Sequence, residues 1–407
     1  MKVKDKIPKL RFPEFNGIWK EKFLKKIAEK VNDKNKVNEF YNVLTNSAIQ
    51  GIVNQTDYFN KEIANKNNLS GYYIVRENDF VYNPRISVSA PVGPIKRNNC
   101  ETGVMSPLYT IFRFSENNLS FLEQYFATKF WHKYMYSIAN YGARYDRMSI
   151  TNSDFFRMKL SIPSLSEQQK TASFLTAVDD KIQQLTKKKN LLGQYKKGVM
   201  QKVFKQEIRF NDDEGNDFPE WEEKKLGDIA SRITIKNKES RVVFVLTNSA
   251  RKGVVSQHDY FDKAIANQNN LEGYYVVKVD DFVYNPRISS FAPVGPIKRN
   301  KLKEGVMSPL YTVFHINAEN LDFFEFFFNT TGWHKYINSI ANIGARYDRI
   351  NITNDDFLKM PISLPCKSEQ QKIADFLIAT DKKIELVNTQ LEKTQSFKKG
   401  LLQQMFV

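Results

Sequence analysis

The side chains in this 407-residue chain that suit recognition chemistry fall in three short phrases. "VYNPRIS" carries Tyr82, Asn83, Arg85 and Ser87, "PIKRN" carries Lys96 and Arg97, and "GARYDR" carries Arg144, Tyr145 and Arg147. Each phrase returns 202 positions later, and the second set is Tyr284, Asn285, Arg287, Ser289, Lys298, Arg299, Arg346, Tyr347 and Arg349. An arginine fork pairs bidentately with guanine, an asparagine amide with adenine, and lysine or serine with phosphate. Gly142 permits a sharp turn ahead of the two arginines, and Asp146 neutralises one of them. The copies differ beside these phrases, at Val88-Ser89 against Ser290-Phe291, at Asn99–Thr102 against Lys301–Glu304, and at Asn42-Val43 against Phe244-Val245. If the two copies read different bases, Val88, Ser89, Ser290 and Phe291 are expected to carry the difference.

Catalytic chemistry is poorly supported. "YNPR" has some likeness to the Asn-Pro-Pro-aromatic box of adenine methyltransferases but lacks the second proline and the stacking aromatic. No Gly-rich loop follows a strand in a form that seats a nucleotide or S-adenosylmethionine. Of four histidines only His132 and His334 are repeat-equivalent, and no nucleophile or carboxylate set accompanies them. Cys100 and Cys366 have no counterparts in the other copy, and no CxxC exists, so neither structural zinc nor a disulfide framework is expected. No cofactor or metal is therefore expected in this chain. Lys plus Arg exceed Asp plus Glu to give a net charge of +16, which favours a polyanionic partner. No apolar run approaches the roughly 18 residues of a membrane span, and the first residues lack an apolar signal core, so a cytoplasmic protein with no membrane partner is expected.

The elements that hold these phrases are themselves duplicated. From Gly71 to Phe114, 31 of 44 positions are identical in the second copy. A period this long marks a duplicated domain, not a solenoid. Within each copy, short apolar runs punctuated by Gly, Pro and Asn predict strands and turns, with amphipathic helices such as "LSFLEQYFATKFWHKYMYSIAN" and the buried "LDFFEFFFNTTGW". After Pro163 and Pro365 the texture changes to proline-free helix, opened in the first copy by a capping box of Ser166 and Gln169. Apolar residues then recur at 3-4 spacing: Leu175, Val178, Ile182, Leu185, Leu192, Val199 and Val203, and again Leu377, Ile384, Val387, Leu391, Leu401 and Met405. Lys189 and Lys196 interrupt the first seam, and Thr380, Thr394 and Lys398 the second. Two such helices, each about 60 Å long, are expected to pair antiparallel about a pseudo-twofold axis. Phe174, Phe376, Tyr195 and Phe397 lie off or beside the seam and offer surface to partner helices. The predicted fold class is α+β: two mixed α/β domains, or heads, separated by a two-helix antiparallel coiled-coil spacer. The boundaries are domain 1 at 1–163, a spacer helix at 164–206, domain 2 at 207–364 and a second spacer helix at 365–407.

The order of these parts resembles the specificity subunit of a type I restriction-modification system. "IPSLSEQQKTASFLTAVDDKI" and "LPCKSEQQKIADFLIATDKKI" resemble the family's conserved regions, and the likeness covers essentially the full chain. The resemblance implies a non-enzymatic subunit in which each head reads one half of a bipartite double-stranded DNA target. It implies a spacer that fixes the unread gap and docks two adenine N6-methyltransferase subunits, with Phe174, Leu175, Ile182, Leu185, Phe376, Leu377, Ile384 and Leu391 as candidate spacer or docking residues. Motor-endonuclease subunits complete the assembly, and S-adenosylmethionine, ATP and Mg belong to those partners. The alikeness of the heads goes further and predicts related, partly inverted half-sites. The rival reading is a stand-alone tandem DNA-binding protein, a repressor or architectural factor.

Overall fold

The computed structural model describes residues 6–59, 69–141, 146–261, 271–343 and 348–407. The chain divides into two compact units, Met1–Thr186 with Thr389–Val407, and Lys187–Asn388. Each unit holds one α+β head and half of each of two long helices, Leu165–Phe204 and Lys367–Gln404.

In the first head a four-stranded antiparallel sheet runs in the order Ala28–Lys30, Thr110–Phe114, Phe80–Tyr82, Ile95–Arg97. Alternation along Phe80–Tyr82 sends Phe80 and Tyr82 to one face and Val81 to the other. All three are buried, because the sheet has a core on each side. Phe80, Tyr82 and Phe112 join the larger core with Trp19, Phe121 and Phe155, while Val81 and Ile111 join a smaller one with Leu44, Ile52 and Met105. That smaller core seats a hairpin, Leu44–Ser47 paired with Gly51–Asn54. The second head repeats the arrangement, with its central strand Phe282–Tyr284 and hairpin Leu246–Ser249 with Gly253–Ser256.

One expected helix is two. "LSFLEQYFATKFWHKYMYSIAN" breaks into Leu119–Phe126 and His132–Ile138. Thr128 Oγ1 donates to Tyr125 O at 2.6 Å and Trp131 Nε1 to Phe126 O at 3.2 Å, so side chains take the carbonyls that a continuing helix needs. Leu321–Phe328 is the expected buried helix, with five phenylalanines in the core.

The seam's three lysine interruptions are contacts between helices, whereas Thr380 and Thr394 donate back to Phe376 O and Gln390 O of their own helix. In the first unit Lys398 reaches Asp179 at 2.5 Å, and Leu401 and Met405 enter the core beside Ala172 and Leu175. In the second unit Lys196 holds both oxygens of Asp381 at 2.6 Å, Lys189 reaches Asn388, and Met200 and Val203 share a core with Ile373 and Leu377. In both units rising numbers on one helix meet falling numbers on the other, so the halves pair antiparallel. Lys196–Asp381 and Lys398–Asp179 are repeat-equivalent, and polar pairs at a seam fix register at some cost in stability. Leu185 and Leu391 are buried, and Ile182 and Ile384 are partly buried.

The helix start differs from the expected capping box. The first long helix begins at Leu165, and the capping hydroxyl is that of Ser164, which accepts from Glu167 N at 3.4 Å. Glu167 is engaged elsewhere: its buried carboxylate takes a fork from Arg11 at 2.7 Å on each oxygen, and Trp19 Nε1 at 3.1 Å. Glu369 is held the same way by Arg209 and Trp221. The acidic residue of each "SEQQK" thus fastens the segment entering a head to the start of the helix leaving it.

Candidate nucleic-acid interface

The hairpin, the "YNPRIS" loop and the end of the "GARYDR" phrase meet around a cleft in each head. The first has a volume of about 360 Å³ and the second about 480 Å³. Thr45, Asn46, Asn83, Arg85, Tyr109 and Arg147 line the first, and Thr247, Asn248, Asn285, Arg287, Tyr311 and Arg349 line the second.

The loop geometry follows from local hydrogen bonds. Asn46 is buried, and its Nδ2 donates to Val81 O at 2.8 Å and Pro94 O at 3.3 Å. Asn83 Nδ2 donates to Asn46 O at 3.0 Å, and Asn83 Oδ1 accepts from Arg85 N at 3.0 Å. The second head repeats these bonds through Asn248 and Asn285. Gly93 lies at φ +77°, where a Cβ would sit 2.0 Å from Asn83 O; at Gly295, φ +80°, a Cβ would sit 2.1 Å from Asn285 O. Glycine is needed there so that the "PVGP" turn can close on the loop.

The two arginine phrases are zipped together by backbone. Ile86 N donates to Asp146 O at 2.9 Å and Met148 N to Pro84 O at 3.0 Å; Ile288, Asp348, Ile350 and Pro286 make the same pairs. Arg85 and Arg287 each meet an aspartate, Asp146 or Asp348, at 3.4 Å and remain mostly exposed. An exposed pair of this length contributes little to stability, which leaves these guanidinium groups available to a ligand.

The other candidate residues take different places. Tyr82 and Tyr284 are core residues: each phenol donates to a backbone carbonyl, of Val92 at 3.1 Å or Val294 at 2.9 Å, and each ring stacks on Phe155 or Phe357. Burial pushes the Tyr284 phenol up. Ser87 and Ser289 cap their own turns by accepting from Ala90 N and Ala292 N at 3.2 Å. Lys96, Arg97, Lys298 and Arg299 stand in sheet strands and not in loops, outside the cleft lining. Arg97 bonds to Asn78 and Ser120, and Arg299 pairs with Asp322 at 2.6 Å and Glu325 at 3.2 Å. Burial lowers the pKa of Lys96, with Glu123 opposing and Lys398 adding to the shift; Lys298 is likewise lowered by burial. Arg144, Tyr145, Arg346 and Tyr347 lie outside the described residues.

Of the spacer candidates, Leu175 and Leu377 are buried in the head cores. Phe174 packs edge-on to Phe12 at 5.8 Å, and Phe376 meets Phe210 at 5.5 Å. Their own unit covers much of the surface expected to face partners. The large apolar residues left exposed on the helices include Leu191, Tyr195, Leu386 and Phe397. Among the described residues, no helix is long and apolar enough to cross a membrane, and no cluster of three or more metal-ligating side chains occurs.

Two copies of one cleft-bearing α+β domain, each built onto an antiparallel helix pair, define a duplicated-domain protein of mixed α/β class. A family model of the type I restriction modification DNA specificity domain matches residues 16–194 and again 219–395, and the chain belongs to that family. It is 28% identical over 273 residues to a Methanocaldococcus jannaschii protein provisionally named as the MjaX type I restriction enzyme specificity subunit, a match covering 63% of this chain. It is 30% identical over 203 residues to the type I restriction enzyme HindI specificity subunit of Haemophilus influenzae, covering 46% of this chain. These matches span 60% and 41% of the relatives' own lengths. The fold is similar to the S subunit of a type I restriction-modification system from M. genitalium, with a TM-score of 0.54 at 12% identity over 98% of this chain and 99% of that one. A chain from a structural study of type I R-M complex assembly and conformational transition gives a TM-score of 0.52 at 14% identity, over 95% and 96%.

Proposed function

We propose that this chain is the non-catalytic DNA-recognition subunit of a type I restriction-modification enzyme, each head reading one half of a bipartite duplex target through its cleft. The observation that carries the reading is the pair of clefts lined by the same residues, each with two arginines at hand, in a chain of net charge +16. Major-groove reading needs loops on a rigid scaffold, and the arginine phrases are held so by backbone pairing. Because the cleft linings match, the half-sites are related in sequence. The helix pair sets the unread gap and docks two adenine N6-methyltransferase subunits, to which motor-endonuclease subunits add. S-adenosylmethionine, ATP and Mg act in those partners, and the assembly works in the cytoplasm. Tyr195 and Phe397, exposed at repeat-equivalent positions, give such partners equivalent footholds on the two helices.

Co-expression with a candidate methyltransferase subunit, followed by mapping of N6-methyladenine across the host genome, tests the proposal. The expected result is co-purification and one bipartite methylated motif with related halves. A chain that binds duplex yet neither co-purifies nor directs methylation is instead a stand-alone DNA-binding protein. Half-sites with no shared bases refute the relation between them.

A further inference from the structure

The mouths of the two clefts differ although their linings match. At the tip of the second hairpin, Arg251 lays its guanidinium over the Phe291 ring, with the guanidinium carbon 3.6 Å from the ring centroid. The same positions in the first head hold Ile49 and Ser89, and Ser290 is replaced by Val88. Arg251 follows the lining residues Ser249 and Ala250, and Phe291 lies two residues beyond the lining residue Ser289. The pair therefore stands at the edge of the cleft.

Both hairpin tips are shaped alike. Ser249 Oγ accepts from Arg251 N at 3.3 Å and Lys252 N at 3.2 Å, and Ser47 Oγ accepts from Ile49 N and Gln50 N at the same distances. Gly253 and Gly51 follow at φ +73° and +76°. One rigid turn thus presents an arginine in one head and an isoleucine in the other. Among the described residues, the Arg251 guanidinium has no carboxylate partner, and Phe291 is 60% exposed. A ring on its flat face fixes the guanidinium plane and leaves its donor edge free, a pre-organised form for bidentate pairing. In the first head, Ile49 and Val88 are 82% and 105% exposed and offer only apolar atoms.

We infer that the Arg251–Phe291 stack is a base-reading element peculiar to the second head, taking guanine through O6 and N7, and that Ile49 with Val88 takes the C5-methyl of thymine at the equivalent position of the first half-site. The inference rests on the proposed reading of DNA by both heads. It assigns the difference between half-sites to a pair reaching across two loops, of which Arg251 supplies the hydrogen bonds and Phe291 the orientation.

The test is selection from a randomised duplex pool by the full chain in complex with its methyltransferase subunit, comparing wild type with Arg251→Ile/Phe291→Ser. The expected result is a guanine in one half of the wild-type motif whose preference falls roughly 10-fold or more in the double variant, the other half being unchanged. Phe291→Ser alone weakens that preference less and leaves folding intact, since the ring is exposed. A wild-type bipartite motif that the double variant leaves unaltered overturns this inference while the DNA reading stands. A wild-type complex that enriches no sequence overturns the DNA reading, and this inference with it.

Discussion

The two heads agree in their buried framework and part company at their rims. Asn46 and Asn248, Asn83 and Asn285, and Gly93 and Gly295 make the same contacts to within a few tenths of an ångström. Ile49 against Arg251 and Ser89 against Phe291 change size, charge and hydrogen bonding together. Exposed loop tips tolerate such exchange because they carry no buried partner, whereas a loop amide already bonded on both sides does not. The shared phrases build and hold the cleft, and under the proposed reading of DNA any difference in readout is to be sought one or two residues outside its lining.

The partner of one buried carboxylate also separates the heads. Asp79 takes a fork from Arg113 at 2.7 and 3.0 Å, but Asp281 meets His315 at 3.0 Å. Burial pushes the Asp281 carboxyl up, against the pull of the Lys278 backbone N–H and of His315. A carboxyl whose pKa is raised by folding favours the fold in acid, and the benefit is lost as pH rises and the group ionises.

Four perturbations test how far the heads are equivalent. The largest effect is expected from Glu167→Ala and Glu369→Ala, which strip an arginine of its buried carboxylate partner and a tryptophan N–H of its acceptor; each is predicted to cost about 3 kcal/mol, equally in the two heads, by denaturant unfolding. An effect in one head alone breaks the equivalence of the framework. Next, Gly93→Ala and Gly295→Ala should each cost about 2 kcal/mol or more, through the clash with Asn83 O or Asn285 O, and each should weaken reading of one half-site only. Third, His315→Arg is expected to add about 1 kcal/mol to the second head near pH 7, the gain shrinking as the carboxyl is protonated in acid; melting curves from pH 3 to 8 report it. A pH-independent gain contradicts the assignment to Asp281. The smallest effect is that of Asp179→Asn and Asp381→Asn, about 0.5 kcal/mol each and reduced by salt, because both pairs are partly exposed.

Much of this was legible in the sequence. The 202-residue repeat, the long helices and their 3-4 seam follow from periodicity alone. What escaped was anything set by long-range packing. Tyr82 looked like a reader because it adjoins Asn83 and Arg85, yet strand alternation puts it beside Phe80 in the core. Lys96 and Arg97 looked like loop residues after two prolines, but Ile95–Arg97 pairs with Phe80–Tyr82. The role of "LTNS" at Leu44–Ser47 was invisible, since Asn46 meets Val81 and Pro94 only after the chain folds back. Lys196 and Lys398 at the seam read as defects because their aspartate partners lie 185 and 219 residues away. Arg251 did leave a signal: an isoleucine-to-arginine change at the tip of a hairpin that otherwise differs only at Gln50/Lys252, Ile52/Val254 and Asn54/Ser256.

If each cleft reads its own half-site, the arginines of one cleft must act on one half of the motif alone. The measurement is the methylated motif directed by Arg85→Ala/Arg147→Ala beside that directed by Arg287→Ala/Arg349→Ala, in cells carrying the partner methyltransferase. Each double variant is expected to relax the base preference of one half, and the two variants to relax opposite halves. Loss of preference in both halves from either variant, or in neither half from both, contradicts reading by separate clefts.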